Sequence, residues 1–266
     1  MKRLLHILAC LTLVGCDGWF SYHPYDTRFD GETDINHRHI AEIEKACRDK
    51  DTLRFVFMGD THEWYADTKD LVDDINHRQE VDFVIHGGDL TDDGLTKEFV
   101  WTRDILNKLR KPYVALIGNH DFLGTGNEVY AKMWGNLNFS FIAGDIKFIC
   151  LNTNATEYDY MAAVPNFDYM EGQLVADSAL FHRTVFCMHA RPYSDQFNNN
   201  VAKAFEHYVN RFPGLQFCLN AHDHKLEADD LYGDGVMYYG CACAEDRSYL
   251  LFTITPSDYS YEIVHF

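Results

Sequence analysis

Basic residues are scarce. Only 23 Lys plus Arg stand against 41 Asp plus Glu in 266 residues, a formal net charge of −18. Affinity for duplex nucleic acid rests on Lys and Arg that neutralise phosphates, so the balance argues against a duplex-wrapping protein. It leaves open a small phosphorylated substrate held by metal ions. Proline (6) and glycine (17) are too few for a collagen-like or low-complexity chain, and 47% apolar content is too high for disorder. No apolar run reaches the roughly 18–20 residues of a spanning helix. There is no internal repeat and no linker rich enough to split the chain. Zinc-ribbon spacing is also missing, because Cys241-Ala242-Cys243 has no second cysteine pair nearby. Cys150, Cys187 and Cys218 sit inside apolar runs and read, with the other cysteines of the domain, as buried thiols.

What is present begins with a targeting pattern. Lys2 and Arg3 precede a short apolar stretch ending at Val14, followed by Gly15 and Cys16. A basic start and a brief apolar core match a secretory signal, too short to span a membrane. Leu13-Val14-Gly15-Cys16 resembles the bacterial lipobox, in which cleavage before the cysteine leaves it to be acylated. The expected organisation is a signal peptide over residues 1–15, a tether from a lipidated Cys16 over 16–33, and one domain over 34–266. The expected location is the cell envelope, with a lipid anchor holding the chain on a membrane.

From Asp34, a possible cap, Ile40, Ile43 and Cys47 fall on one helical face. Short apolar strands and helix-like segments then alternate. Strands are expected at 53–58, 81–86, 113–117, 147–151, 184–188, 215–219, 236–239, 249–255 and 261–264. Helices are expected at 96–110, 171–182 and 201–212. Alternation of this kind predicts an α/β layered fold, and the closing run of strands an antiparallel portion. Residues 152–172 form the longest weakly patterned stretch and a possible wall of a binding site.

The chemistry sits just past the strands. Gly59-Asp60-Thr61-His62, Gly87-Gly88-Asp89, Gly118-Asn119-His120-Asp121, His189, and Asn220-Ala221-His222-Asp223-His224 each follow an apolar strand. That is the edge where parallel α/β sheets gather ligand sites. Side-chain O and N donors of these types suit first-row divalent metals, and residues at i and i+2 can point the same way in extended chain. Asp-x-His or His-x-His alone is weak, but five such pieces in order form a specific pattern.

The motif order resembles the calcineurin-like metallophosphoesterase family, over roughly residues 54–224. Two departures are Ala221 where that family usually has Gly, and Ala190 after His189 where a second His is common. The resemblance implies an α/β, four-layer sandwich of two mixed β-sheets flanked by helices. It implies one metal held by Asp60, His62, Asp89 and His224, and a second by Asp89, Asn119, His189 and His222, with Asp89 shared. His120 would stand beside the phosphate as a proton donor, with Asp121 orienting it. Expected cofactors are two divalent ions, drawn from Mn, Fe, Zn, Ni or Mg. The expected reaction is hydrolysis of a phosphomonoester or phosphodiester by a metal-activated hydroxide. A non-catalytic envelope binding lipoprotein that keeps the fold and the metal site is the alternative. A metal-stabilised structural lipoprotein is a third reading, disfavoured because it has no need of His120. Elsewhere, His86 reads as a hydrogen-bonded core histidine, and Asp92 and Asp93 as turn caps or solvated groups. Arg191 reads equally as a phosphate clamp or a salt-bridge partner.

Overall fold

The computed structural model describes residues 23–157 and 162–266. The expected signal peptide and Cys16 therefore lie outside the described residues, as do Tyr158 and Tyr160. The run Leu-Arg-Phe-Val-Phe-Met forms β1 (Leu53–Met58), and side-chain alternation along it sets the layers. Leu53, Phe55 and Phe57 point into the core between two sheets, whereas Val56 and Met58 point outward into a helical layer. Both faces are buried, which is why the strand reads as a continuous apolar run.

Strand β1 pairs in parallel with β2 (Phe83–His86), which pairs in parallel with β3 (Tyr113–Ala115). On its other side lies antiparallel β10 (Ser248–Ile254), followed by β11 (Tyr259–His265). The order is β11-β10-β1-β2-β3. The second sheet comprises β4 (Phe139–Ala143), β5 (Ile146–Leu151), β6 (Arg183–Met188), β7 (Leu215–Asn220), β8 (Glu227–Asp229) and β9 (Tyr238–Gly240). Its order is β4-β5-β6-β7-β9-β8, with β4 and β8 as antiparallel edges on a parallel centre.

Between the sheets, aromatic rings interdigitate. Phe55 stacks on Phe83 at 5.2 Å and on Phe252 at 5.4 Å, and meets Phe148 of the facing sheet edge-on at 5.3 Å. Such pairs add roughly 0.5–1.5 kcal/mol each beyond area burial. Outside the first sheet pack α2 (Tyr65–His77), α3 (Thr96–Leu106) and α4 (Gly126–Met133). Outside the second pack α5 (Phe167–Val175) and α6 (Ala202–Val209). Helix α1 (Ile35–Cys47) contacts β3 and β4, sending Ile35 to the outer layer and Ile43 and Cys47 to the inter-sheet core. The result is the four-layer sandwich of two mixed sheets flanked by helices.

Several local expectations change. Asp34 lies in the left-handed region, φ 54°, and makes no capping bond. The helix expected at 171–182 begins earlier, because the Asn166 side chain caps it by accepting the Tyr169 N–H at 2.9 Å. The helix at 96–110 stops at Leu106. Strands β4 and β8 and helix α4 carried too little sequence pattern to be placed. The described part of the expected tether, residues 23–33, is docked. Thr96 donates its hydroxyl hydrogen to the Asp26 carbonyl, and Arg103 donates to the Asp30 carbonyl at 2.8 Å. Phe29 packs into the helical layer. All six cysteines of the domain are free and buried.

Candidate metal centre

Five loops at the carboxyl ends of β1, β2, β3, β6 and β7 meet at one edge of the sandwich. Their backbones are unusual. Asp60, Asp89, His222 and His224 have φ of 50°, 56°, 71° and 52°, in the left-handed region that L side chains rarely adopt. Such conformations persist only where surroundings over-determine them, and they gather at functional sites. Here the Asp60 N–H donates to the Gly88 carbonyl at 3.0 Å, and the Thr61 N–H to the Asp89 carbonyl at 3.1 Å. Space is equally constrained. A Cβ on Gly118 would lie 2.1 Å from the Asp89 backbone N and carboxylate. Ala221 fills the space that Gly59 and Gly87 leave, since a Cβ on either would come within 2.9 Å of its methyl.

Two donor groups converge. Asp60, His62, Asp89 and His224 each offer a ligand atom within 4.8 Å of the others, and so do Asp89, His189 and His222. Asp89 belongs to both. Asn119 joins the second group, its Oδ1 3.0 Å from His189 Nε2. All seven residues singled out as ligands are thus brought together, although Asp60 and His222 stand 162 positions apart in sequence.

The histidines are oriented for coordination. His189 Nδ1 meets the Gly87 carbonyl at 2.9 Å, so that nitrogen carries the hydrogen and Nε2 faces Asp89 at 3.4 Å. His222 Nε2 meets Asp195 Oδ1 at 2.7 Å, leaving Nδ1 as its free donor. A carbonyl or carboxylate on the far nitrogen is the usual support of a metal-binding imidazole. His62 is buried, yet neither ring nitrogen has a hydrogen-bond partner. Buried polar atoms without partners are costly, and a cation on His62 removes that cost. The donor set therefore fits a pair of divalent ions.

Electrostatics point the same way. Burial opposes ionisation of Asp89, but His189 outweighs it and holds the carboxyl below the usual carboxylate range. Burial likewise opposes charging of His189, but Asp89 prevails and its pKa is pushed up to about 9. Positive charge is being drawn to this position. His86, by contrast, is driven down to about 3 by burial. Its Nδ1 accepts the Gly88 N–H at 3.2 Å and its Nε2 meets Thr61 Oγ1 at 2.9 Å, joining the β1 and β2 loops. It is the hydrogen-bonded core histidine expected.

His120 stacks on His62 with ring centres 4.5 Å apart. Its expected orienting partner is corrected. The His120 Nδ1 meets the backbone carbonyl of Asp92 at 2.7 Å, while Asp121 is fully buried and bonded elsewhere. The Asp121 carboxylate accepts the N–H groups of Leu90, Thr91 and Gly118 and the Thr91 hydroxyl, at 2.8–3.2 Å. It ties the β2 loop to the β3 loop and so fixes Asp89 against Asn119. Asp92, read as a cap or solvated group, also places Oδ1 3.5 Å from His62 Nδ1. Its position three residues past Asp89 was the available sequence signal. Asp195 gave none, lying in irregular chain after β6. Arg191 is held by Asp223 at 2.7 Å and Glu227 at 3.1 Å, the ion-paired of its two readings.

The model of the calcineurin-like phosphoesterase family matches residues 53–226. The chain belongs to this family. A 3′,5′-cyclic-nucleotide phosphodiesterase of Nostoc sp. is 26% identical over 156 residues, covering 56% of this chain and 58% of that relative. The chain thus spans less than two thirds of that protein. Among solved structures, a purple acid phosphatase from yellow lupin superposes with a TM-score of 0.64 at 14% identity, covering 82% of this chain and 52% of that one. GAP50, the anchor in the inner membrane complex of Plasmodium, gives 0.63 at 13% identity, covering 81% and 85%. At such identities these two likenesses establish the calcineurin-like fold alone.

Proposed function

We propose that this calcineurin-like phosphoesterase hydrolyses a small phosphodiester or phosphomonoester with two divalent cations. Asp60, His62, Asp89 and His224 would hold one ion; Asp89, Asn119, His189 and His222 would hold the other. The observation that carries the reading is Asp89, a single carboxylate common to both donor groups with His120 beside it. A pair of such ions supplies Lewis acidity, lowering the pKa of water and drawing charge from phosphoryl oxygens.

The remaining work falls to side chains. The Asp89 carboxylate accepts the His120 backbone N–H at 3.0 Å, which fixes the spacing between ligand set and proton donor. The Asp92 carbonyl keeps a hydrogen on His120 Nδ1, so Nε2 is the nitrogen that gains and gives the exchangeable proton. The departing alkoxide takes it from there. Asp121 and His86 position the loops and do not touch the reacting atoms. Similarity to a cyclic-nucleotide phosphodiesterase supports a diester.

Aryl phosphate mono- and diesters test the proposal. Hydrolysis should require added Mn, Fe, Zn, Ni or Mg and cease with a chelator. Absence of metal-dependent turnover on both ester types would overturn it in favour of an envelope binding protein.

A further inference from the structure

The docked residues 23–33, an arm, and the face of α3 beside them form a surface that the metal chemistry does not use. Trp101 on α3 is 44% exposed, and Tyr25 of the arm and Leu123 of the β3 loop are also exposed. Tyr65, at the start of α2, packs edge-on against Trp101 at 5.6 Å. Lys97 lies over the Trp101 ring at 4.9 Å, and Lys69 and Lys108 border the same ridge, all three exposed. Three nearby acids are engaged, while exposed Asp93, within 4.8 Å of Glu98, has no ion pair among the described residues. Asp104 is bonded by Arg103 at 2.9 Å, Asp26 by Arg28 at 2.7 Å, and Glu98 by the backbone N–H groups of Asp93 and Leu95. In a chain of net charge −18, this is an apolar ridge rimmed by unpaired lysines.

Chain length gives the ridge an occupant. The arm begins against α3 at His23, next to Thr96 and Lys97. Cys16 is seven residues upstream, within about 25 Å even if the chain is fully extended. The intervening sequence contains Trp19, Phe20 and Tyr22, residue types that favour the membrane–water interface. We propose that the α2–α3 ridge docks on an anionic lipid surface. Trp101, Tyr25 and Leu123 would enter the headgroup layer, and Lys69, Lys97 and Lys108 would meet lipid phosphates. Trp and Tyr present an apolar body with a polar tip, and lysine stems bury while their ammonium groups reach phosphate. Screening beyond about 8 Å isolates this local positive rim from the acidic remainder of the surface. Trp64, one residue before α2, packs on His62 with ring centres 5.2 Å apart.

The proposal rests on the acylated Cys16 for tethering but not on turnover, and its test separates them. The purified full chain is floated with vesicles of phosphatidylcholine and phosphatidylglycerol, or kept in detergent, and its lysines are labelled with a membrane-impermeant amine reagent. Lys69, Lys97 and Lys108 should label about fivefold less on vesicles than in detergent, whereas Lys203 on α6 labels equally in both. Trp101→Ala should restore labelling of Lys69 and Lys108 while hydrolysis of a soluble aryl ester is unchanged. Equal labelling in both states overturns the docking surface, as does a chain that does not float. Protection in detergent as well as on vesicles would mean that residues 17–22 cover the ridge, which also overturns it. Intact mass independently reports acylation at Cys16.

Discussion

The Nδ1 of His120 lies 2.7 Å from the backbone carbonyl oxygen of Asp92. A carbonyl only accepts, so this contact settles which nitrogen keeps its hydrogen and which exchanges it. Burial disfavours the charged ring, yet the Asp92 carbonyl and the neighbouring carboxylates prevail and raise the pKa of His120. The acid form therefore persists above the ordinary imidazole value of about 6.5 and is lost as pH rises further.

Turnover should fall on an alkaline limb as His120 loses its proton, with the bound cations setting that limb lower than the pKa of the ring in the metal-free chain. His120→Ala should remove the limb and lower kcat by about 10²–10⁴-fold, with metal content near normal. Elemental analysis and pH–rate profiles check this; metal loss in the variant would refute the assigned role.

Asp89→Asn should strip both ions together. The substituted amide keeps a hydrogen-bond acceptor for the His120 N–H but loses the charge shared by both donor groups. Bound metal should drop from about two to under one per chain. Loss of a single ion would place Asp89 in one group only.

Metal loading should release a proton. In the metal-free chain the His189 pKa, pushed up to about 9 by Asp89 against the opposing effect of burial, keeps the ring charged at neutral pH. A cation must displace that proton, so affinity should rise about tenfold per pH unit between pH 7 and 9 and flatten above. Calorimetry in buffers of different ionisation enthalpy would count the protons.

Asp121→Asn should destabilise and move the His120 limb toward lower pH, because the Asp121 charge helps to raise the pKa of that ring. Four donors converge on the native carboxylate, and an amide turns one acceptor oxygen into a donor facing them. A loss of about 1–3 kcal/mol in unfolding experiments is expected, with the His120 limb still present. Loss of the limb altogether would restore Asp121 as the orienting partner of His120.

The layers were legible because strands buried on both faces read as unbroken apolar runs: β1 was placed residue for residue, and β6 and β10 to within one. The donor residues were legible because each directly follows such a run. What escaped was held by contacts distant in sequence. Strand β4 alternates buried and half-buried residues over only five positions, and β8 has no buried residue. The docking of the arm depends on Arg103 and Thr96, some 70 positions away. The role of Asp92 depends on its backbone carbonyl, which no side-chain pattern encodes. The lower part of the 152–172 stretch is pinned under the site by Asn154, whose amide donates to the Ile117 carbonyl at 3.0 Å.

Four of the candidate donor residues sit in left-handed backbone, at a conformational cost of order 1–3 kcal/mol each. Glycine at any of them would relax the chain and delete a donor in the same step. Thermal robustness and catalytic competence therefore pull these positions in opposite directions. Glycine substitution at Asp60, Asp89, His222 or His224 should therefore raise thermal stability and lower metal content together.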